Sequence, residues 1–139
     1  MGIFTHVCIG TNDVERARRF YDAALGPLGV RYLGPFLSQG IGYGRTLPEL
    51  LVLTPLEGRA ATPAVGGTIS FKALSRDAVD RFHAAGLTAG GSDEGGPGPR
   101  GAMPHAYGAY LLDPDGNKVC AYCFKAPPSE ADQNISDAE

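Results

Sequence analysis

Polar and apolar residues alternate from Phe4 to Gly10, which predicts a strand with Phe4, His6 and Cys8 on one side and Thr5, Val7 and Ile9 on the other. The period then changes. Val14, Ala17, Phe20, Tyr21, Ala24 and Leu25 fall near one face of a helix. Asn12 is its expected N-cap, with Glu15 completing a capping box, and Gly26-Pro27 ends it. Three short strands follow at 30–36, 41–45 and 50–54, separated by Gly40, Gly44 and Pro48.

The pattern then comes a second time. A strand at 67–73 places Thr68, Ser70 and Lys72 on one side and Ile69, Phe71 and Ala73 on the other. Ser75 caps a helix carrying Val79, Phe82 and Ala85, and Gly86 is its expected end, with His83 on its surface. A Gly/Pro-rich stretch at 90–104 is expected to be a flexible loop over the site. Two apolar runs then flank Asp113-Pro114-Asp115-Gly116-Asn117, a tight β-hairpin turn. Residues 19–24 align with 81–86 at an offset of 62, which matches His6 with Thr68 and Cys8 with Ser70.

The expected fold class is therefore α+β. Two βαβββ modules, at 1–57 and 67–126, are joined by a linker at 58–66 and followed by a flexible acidic tail at 127–139. The modules pair into a curved, mostly antiparallel eight-stranded sheet. Each helix covers the apolar side of its own strands, so the polar sides face a cavity suited to a small molecule.

Composition narrows the options. Hydrophobic residues make up 43% of the 139, enough for a core, and only 19% are charged. The net charge of -3 and the lack of a basic run argue against nucleic acid as a partner. No apolar stretch approaches the roughly 20 residues that span a bilayer, so no membrane partner is expected. The short, β-like N-terminus does not resemble a signal peptide, and a cytoplasmic protein is expected. Three cysteines, Cys8, Cys120 and Cys123, point to reduced thiols rather than a disulfide scaffold. The glycine run is not followed by Gly-Lys-Ser/Thr, so it is not a phosphate-binding loop.

Two stretches carry a family resemblance. One is His6-Val7-Cys8-Ile9 with Asp13-Val14-Glu15-Arg16-Ala17-Arg18-Arg19-Phe20-Tyr21, and the other is Tyr110-Leu111-Leu112-Asp113-Pro114-Asp115-Gly116-Asn117. Together they resemble the vicinal oxygen chelate superfamily, the glyoxalase/bleomycin-resistance/extradiol-dioxygenase group, and its glyoxalase-like subgroup. The resemblance implies the paired βαβββ fold and a divalent metal held by up to four inward side chains. Such a metal chelates adjacent substrate oxygens and acts as a Lewis acid. It implies ligand positions at His6, near Val52, at Thr68 and at Cys120, where the family usually has His or carboxylate. Only His6 and Cys120 remain as metal candidates, so the expected metal site is degenerate: no cofactor is expected, with a divalent metal as the alternative. No catalytic residue is assigned.

By strand parity Tyr122 shares the side of Cys120, Cys123 takes the other side, and Tyr43 can reach the cavity from the first module. Arg100 and His105, beside the Gly-rich stretch, are candidates for an anionic group at the cavity mouth. The expected ligand-binding set is His6, Cys8, Tyr43, Val52, Thr68, Ser70, Arg100, His105, Cys120 and Tyr122. The expected function is binding of a small oxygenated molecule by a homodimer. The alternative is a metal-dependent lyase, isomerase or dioxygenase of the lactoylglutathione lyase kind.

Overall fold

The computed structural model describes residues 2–101 and 103–127. The first module runs β1 (Val7–Gly10), α1 (Val14–Leu25), a 3-10 turn (Gly26–Leu28), β2 (Arg31–Phe36), β3 (Gly40–Gly44) and β4 (Leu50–Leu53). The second runs β5 (Ile69–Lys72), α2 (Arg76–Thr88), β6 (Ser92–Pro99), β7 (Tyr107–Leu112) and β8 (Lys118–Cys123). The strand orders are β1-β4-β3-β2 and β5-β8-β7-β6. β1 pairs in parallel with β4, and β5 with β8; the other pairings are antiparallel. The paired-module α+β fold is thus present. Its eight strands form two four-stranded sheets, because β1 and β5 each end a sheet and share no ladder.

One core joins the modules. Ala17, Phe20, Tyr21 and Leu25 of α1 and Ala78, Val79 and Phe82 of α2 pack with Ile41, Val52, Ala109, Leu111 and Val119. The helices touch at Gly86, where an added Cβ would overlap Leu111 and lie 3.3 Å from Phe20. Gly86 therefore sits inside α2 rather than ending it: the missing side chain is what this contact requires.

Two caps differ in outcome. Ser75 Oγ accepts from Ala78 N at 3.0 Å, as the pattern predicts. In α1 the cap is Asp13, whose Oδ1 accepts from Arg16 N at 3.0 Å. Asn12 is occupied elsewhere: its amide donates to Ala61 O at 3.0 Å and accepts from Ala61 N at 2.7 Å. The linker thereby takes the side chain that would otherwise have capped the helix.

The hairpin turn connects the modules. Asp113 is buried and accepts from Tyr21 Oη, the amides of Asp115 and Asn117, and Asn117 Nδ2. Asp115 accepts from Thr11 Oγ1, Asn12 N and Arg16 Nη2, and Asn117 Nδ2 donates to Gly10 O. Gly116 closes the turn at φ +90°, a conformation that favours glycine.

Two further expectations are corrected. The stretch expected to be a flexible loop contains β6, an edge strand on β7 with shifts at 93/95 and 95/98. An edge accommodates Pro97 and Pro99, since outward-facing positions need no N–H. His83 is 8% exposed rather than on the surface, because its Nε2 meets Asp93 Oδ1 at 2.8 Å and joins α2 to β6. Among the described residues no helix is long and apolar enough to cross a membrane. The expected tail lies, from residue 128 on, outside the described residues.

Candidate functional site

Strand alternation gives each sheet one face against the helices and one open face. On the second sheet the core side holds Val119, Ala121, Cys123, Leu111 and Ala109. The open side is built in rows. One row runs Ser70, Cys120, Tyr110, Gly95, and the next runs Lys72, Tyr122, Gly108, Gly98. Lys118 lies one row back, opposite Leu112.

Glycine shapes this surface. A Cβ on Gly108 would lie 2.8 Å from the Tyr122 ring, so the ring rests where a side chain would stand. From there the Tyr122 hydroxyl shares a hydrogen bond with the Tyr110 hydroxyl. Phe124 lies beside the Tyr122 ring at 5.6 Å between centroids, tilted by 12°. Lys118 Nζ sits 5.2 Å and the Arg100 guanidinium 5.6 Å from the Tyr110 ring centre. Ser70, Phe71, Lys72, Tyr122 and Phe124 line a cavity of about 340 Å³. The Tyr122 hydrogen bond, then burial, push the Tyr110 phenol up to about 12. Burial raises the Cys120 thiol, and hydrogen bonding to Ser70 opposes it.

The first sheet contributes less. Cys8 pairs with Leu51, and Leu51 with Gly42, so this open face is sparse in functional groups. His6 is exposed, with Nδ1 3.0 Å from Thr5 Oγ1. A cavity of about 210 Å³ lies between β1 and β5, and its lining includes His6, Tyr43, Glu49, Ser70 and Lys72. A neighbouring one of about 290 Å³ is lined by Cys8, Thr68 and Lys118 among others.

The predicted residues therefore divide. Ser70, Cys120 and Tyr122 share one open face, and the cavities between β1 and β5 bring His6 near Ser70 and Cys8 near Thr68. Val52 does not belong with them. It pairs with Ile9 and is fully buried in the core, one residue out of phase with Leu51, which faces the open side beside Cys8. Tyr43 lines the 210 Å³ cavity, but its hydroxyl donates to Asp22 Oδ1 at 2.7 Å. Burial, then that hydrogen bond, push its phenol well up. Arg100 donates to the carbonyls of Gly96, Gly98 and Pro99, at 2.8, 3.0 and 3.2 Å, bracing the β6 edge. His105 is exposed in the β6–β7 connection at φ +59°.

The donor set does not suit the family's metal. The four positions hold an imidazole, an aliphatic side chain, a hydroxyl and a thiol whose neutral form is favoured by burial. Among the described residues no three His, Cys, Asp or Glu side chains gather as a metal cluster. Catalytic zinc takes three protein ligands, and magnesium or manganese prefers oxygen.

Sequence reasoning left Tyr110, Lys118, Phe124 and Glu49 out of the site. Tyr110 and Lys118 had a usable signal. Counting outward from the hairpin turn pairs Leu112 with Lys118 and Tyr110 with Cys120. Phe124 and Glu49 lie just beyond strand ends, where parity gives no guide.

Paired βαβββ modules with one face of each sheet on the helices and the other carrying a polar and aromatic ladder define the glyoxalase-like class of fold. The chain belongs to the Glyoxalase/Bleomycin resistance protein/Dioxygenase superfamily, whose model matches residues 3–121. A glyoxalase/bleomycin resistance protein from Albidiferax ferrireducens T118 is 42% identical, with a TM-score of 0.76 over 87% of this chain and 98% of that one. Two more distant structures share the fold. Lactoylglutathione lyase from Agrobacterium tumefaciens is 21% identical, with a TM-score of 0.61 over 87% of this chain and 92% of that one. The fosfomycin resistance protein FosX from Mesorhizobium loti is 16% identical, with a TM-score of 0.60 over 96% and 98%. A search of curated proteins gives no match.

Proposed function

We propose that this protein binds a small oxygenated molecule on its open sheet faces and does so without a metal of the family's usual kind. The observation that carries this reading is the row Ser70, Cys120, Tyr110 with Tyr122 beside it. These are hydrogen-bonding and stacking groups, and their positions on the open side leave the core intact. The metal-dependent reading needs carboxylates or imidazoles at positions that here hold Leu51, Thr68 and Cys120.

A second copy of the chain is part of the proposal. β1 and β5 both end their sheets with a cavity between them, so their outer backbone groups are available to a partner. The described cysteines are unpaired, which suits a reducing cytoplasm.

A thermal-shift screen of small carboxylates, phosphonates and diols tests the binding. A ligand at 100 times its Kd adds about 2.7 kcal/mol of stability. Tyr122→Ala is expected to abolish the shift. Stoichiometric metal in protein purified without chelator, required for the shift, would replace this reading with the metal-dependent one. Sedimentation equilibrium checks the dimer.

A further inference from the structure

We propose that the open face of β5, β8 and β7 is selective for a planar anion, an aromatic carboxylate. The inference rests on the binding site proposed above and names its ligand class.

Charge points to an anion. The chain carries a net charge of -3, yet the paired open-face positions hold Lys72 and Lys118; the acids nearby are Glu94, in the bulge of the β6 edge, and Glu49, across the 210 Å³ cavity from Lys72. Among the described residues neither lysine is paired with a carboxylate, while Arg16, Arg18 and Arg81 are. Arg100 adds a third cation over the Tyr110 ring. Lys72 is exposed at the wall of the 340 Å³ cavity and Lys118 is half-buried against the Tyr110 ring, so a ligand carboxylate beside the tyrosine pair meets a cation.

Shape points to a flat molecule. Gly95, Gly98 and Gly108 carry no side chain of their own, so the Arg100 guanidinium lies against the first two and the Tyr122 ring lies flat over the third. Tyr122 and Phe124 lie nearly parallel at the wall of the 340 Å³ cavity, and Phe124 is 53% exposed. Aromatic rings pack on such a surface in offset or edge-on contact.

Hydrogen counting supplies the last contact. The two hydroxyls of Tyr110 and Tyr122 carry one hydrogen each and use one between them. The other is free to donate to a carboxylate oxygen.

The test uses the whole chain and three probes: benzoate, benzamide and cyclohexanecarboxylate. The first is planar and anionic, the second planar and neutral, the third anionic and puckered. Isothermal titration is expected to show benzoate binding at least about tenfold more tightly than either of the others. The Lys72→Met, Lys118→Met pair is expected to weaken benzoate at least about tenfold, a factor equivalent to 1.4 kcal/mol. Both lysines are on the open face, so the unfolding midpoint of the pair is expected to stay near that of the parent. Equal binding of benzamide or cyclohexanecarboxylate overturns the proposal. So does unchanged benzoate affinity in the lysine variant, or no benzoate binding at millimolar concentration. If another ligand then binds in a Tyr122-dependent way, the site stands and only its ligand class is wrong. If no compound of the screen binds, both fall together.

Discussion

Tyr21 Oη donates to Asp113 Oδ2 at 2.6 Å, a buried hydrogen bond that joins the first helix to the last hairpin. Burial, then the Asp113 charge, raise the Tyr21 phenol. Asp113 keeps three further donors, so Tyr21→Phe removes one charge-assisted bond and leaves the carboxylate solvated by the rest. The expected cost is about 1–2 kcal/mol. Asp113→Ala removes the acceptor of Tyr21 Oη and of the Asp115 and Asn117 amides, and leaves Asn117 Nδ2 only Gly10 O; it is expected to cost at least about 3 kcal/mol. Urea unfolding measures both, and equal costs would mean that Tyr21 alone sustains the contact.

Gly86→Ala sets two effects against each other. Alanine is favoured over glycine inside a helix by about 1 kcal/mol. Here the new methyl meets Leu111 and Phe20, and overpacking of this kind costs about 1–3 kcal/mol. The crowding is expected to win, so the variant melts lower than the parent in calorimetry. A higher midpoint would show that the helices can separate at no cost.

The contact between His83 and Asp93 gives an acid dependence. The Gly95 amide, then His83, lower the Asp93 carboxyl from its ordinary 3.8. A depressed acid stabilises the fold above its unfolded value, and that contribution is lost as pH falls through the lower folded value. Asp93 is solvent-exposed, so the effect is small. Asp93→Asn is expected to flatten the stability profile below about pH 4 relative to the parent. Parallel acid limbs in chemical denaturation would show that the carboxylate contributes nothing there.

At alkaline pH the tyrosine pair responds in the opposite sense. The Tyr110 phenol is pushed up to about 12, chiefly by its bond to Tyr122. Its neutral form is favoured, so its contribution to stability is intact below about pH 10 and is lost as pH rises toward the folded value. Tyr122→Phe removes the main cause, and the Tyr110 ionisation is expected to move down toward 10. Phenolate absorbance in the near ultraviolet follows it directly; an unmoved titration would place the cause in burial instead.

Much of this architecture is legible in the residues, because alternation and helical spacing are local and hydrophobic. The pairing of Ser70, Cys120 and Tyr122 on one face follows from parity plus a turn of known length. What is missed depends on partners distant in sequence. Asn12 is drawn off by Ala61, His83 is covered by Asp93, and Gly86 is needed for a contact with Leu111. β6 hides behind glycines and prolines that an edge strand tolerates. Val52 is out of phase by one residue, and in a period of two that one step exchanges the faces completely.

That two-residue period has a consequence for how such a protein can change. Ser70, Tyr110 and Tyr122 hang from the same strands as Ile69, Phe71, Leu111 and Ala121, but on the other side. A residue on the open side can be exchanged while its neighbours one step along keep every contact that holds the domain together. Chemistry and shape are thus inherited on separate sides of one ribbon. The chain shares its family's outline, and that outline by itself does not name a reaction.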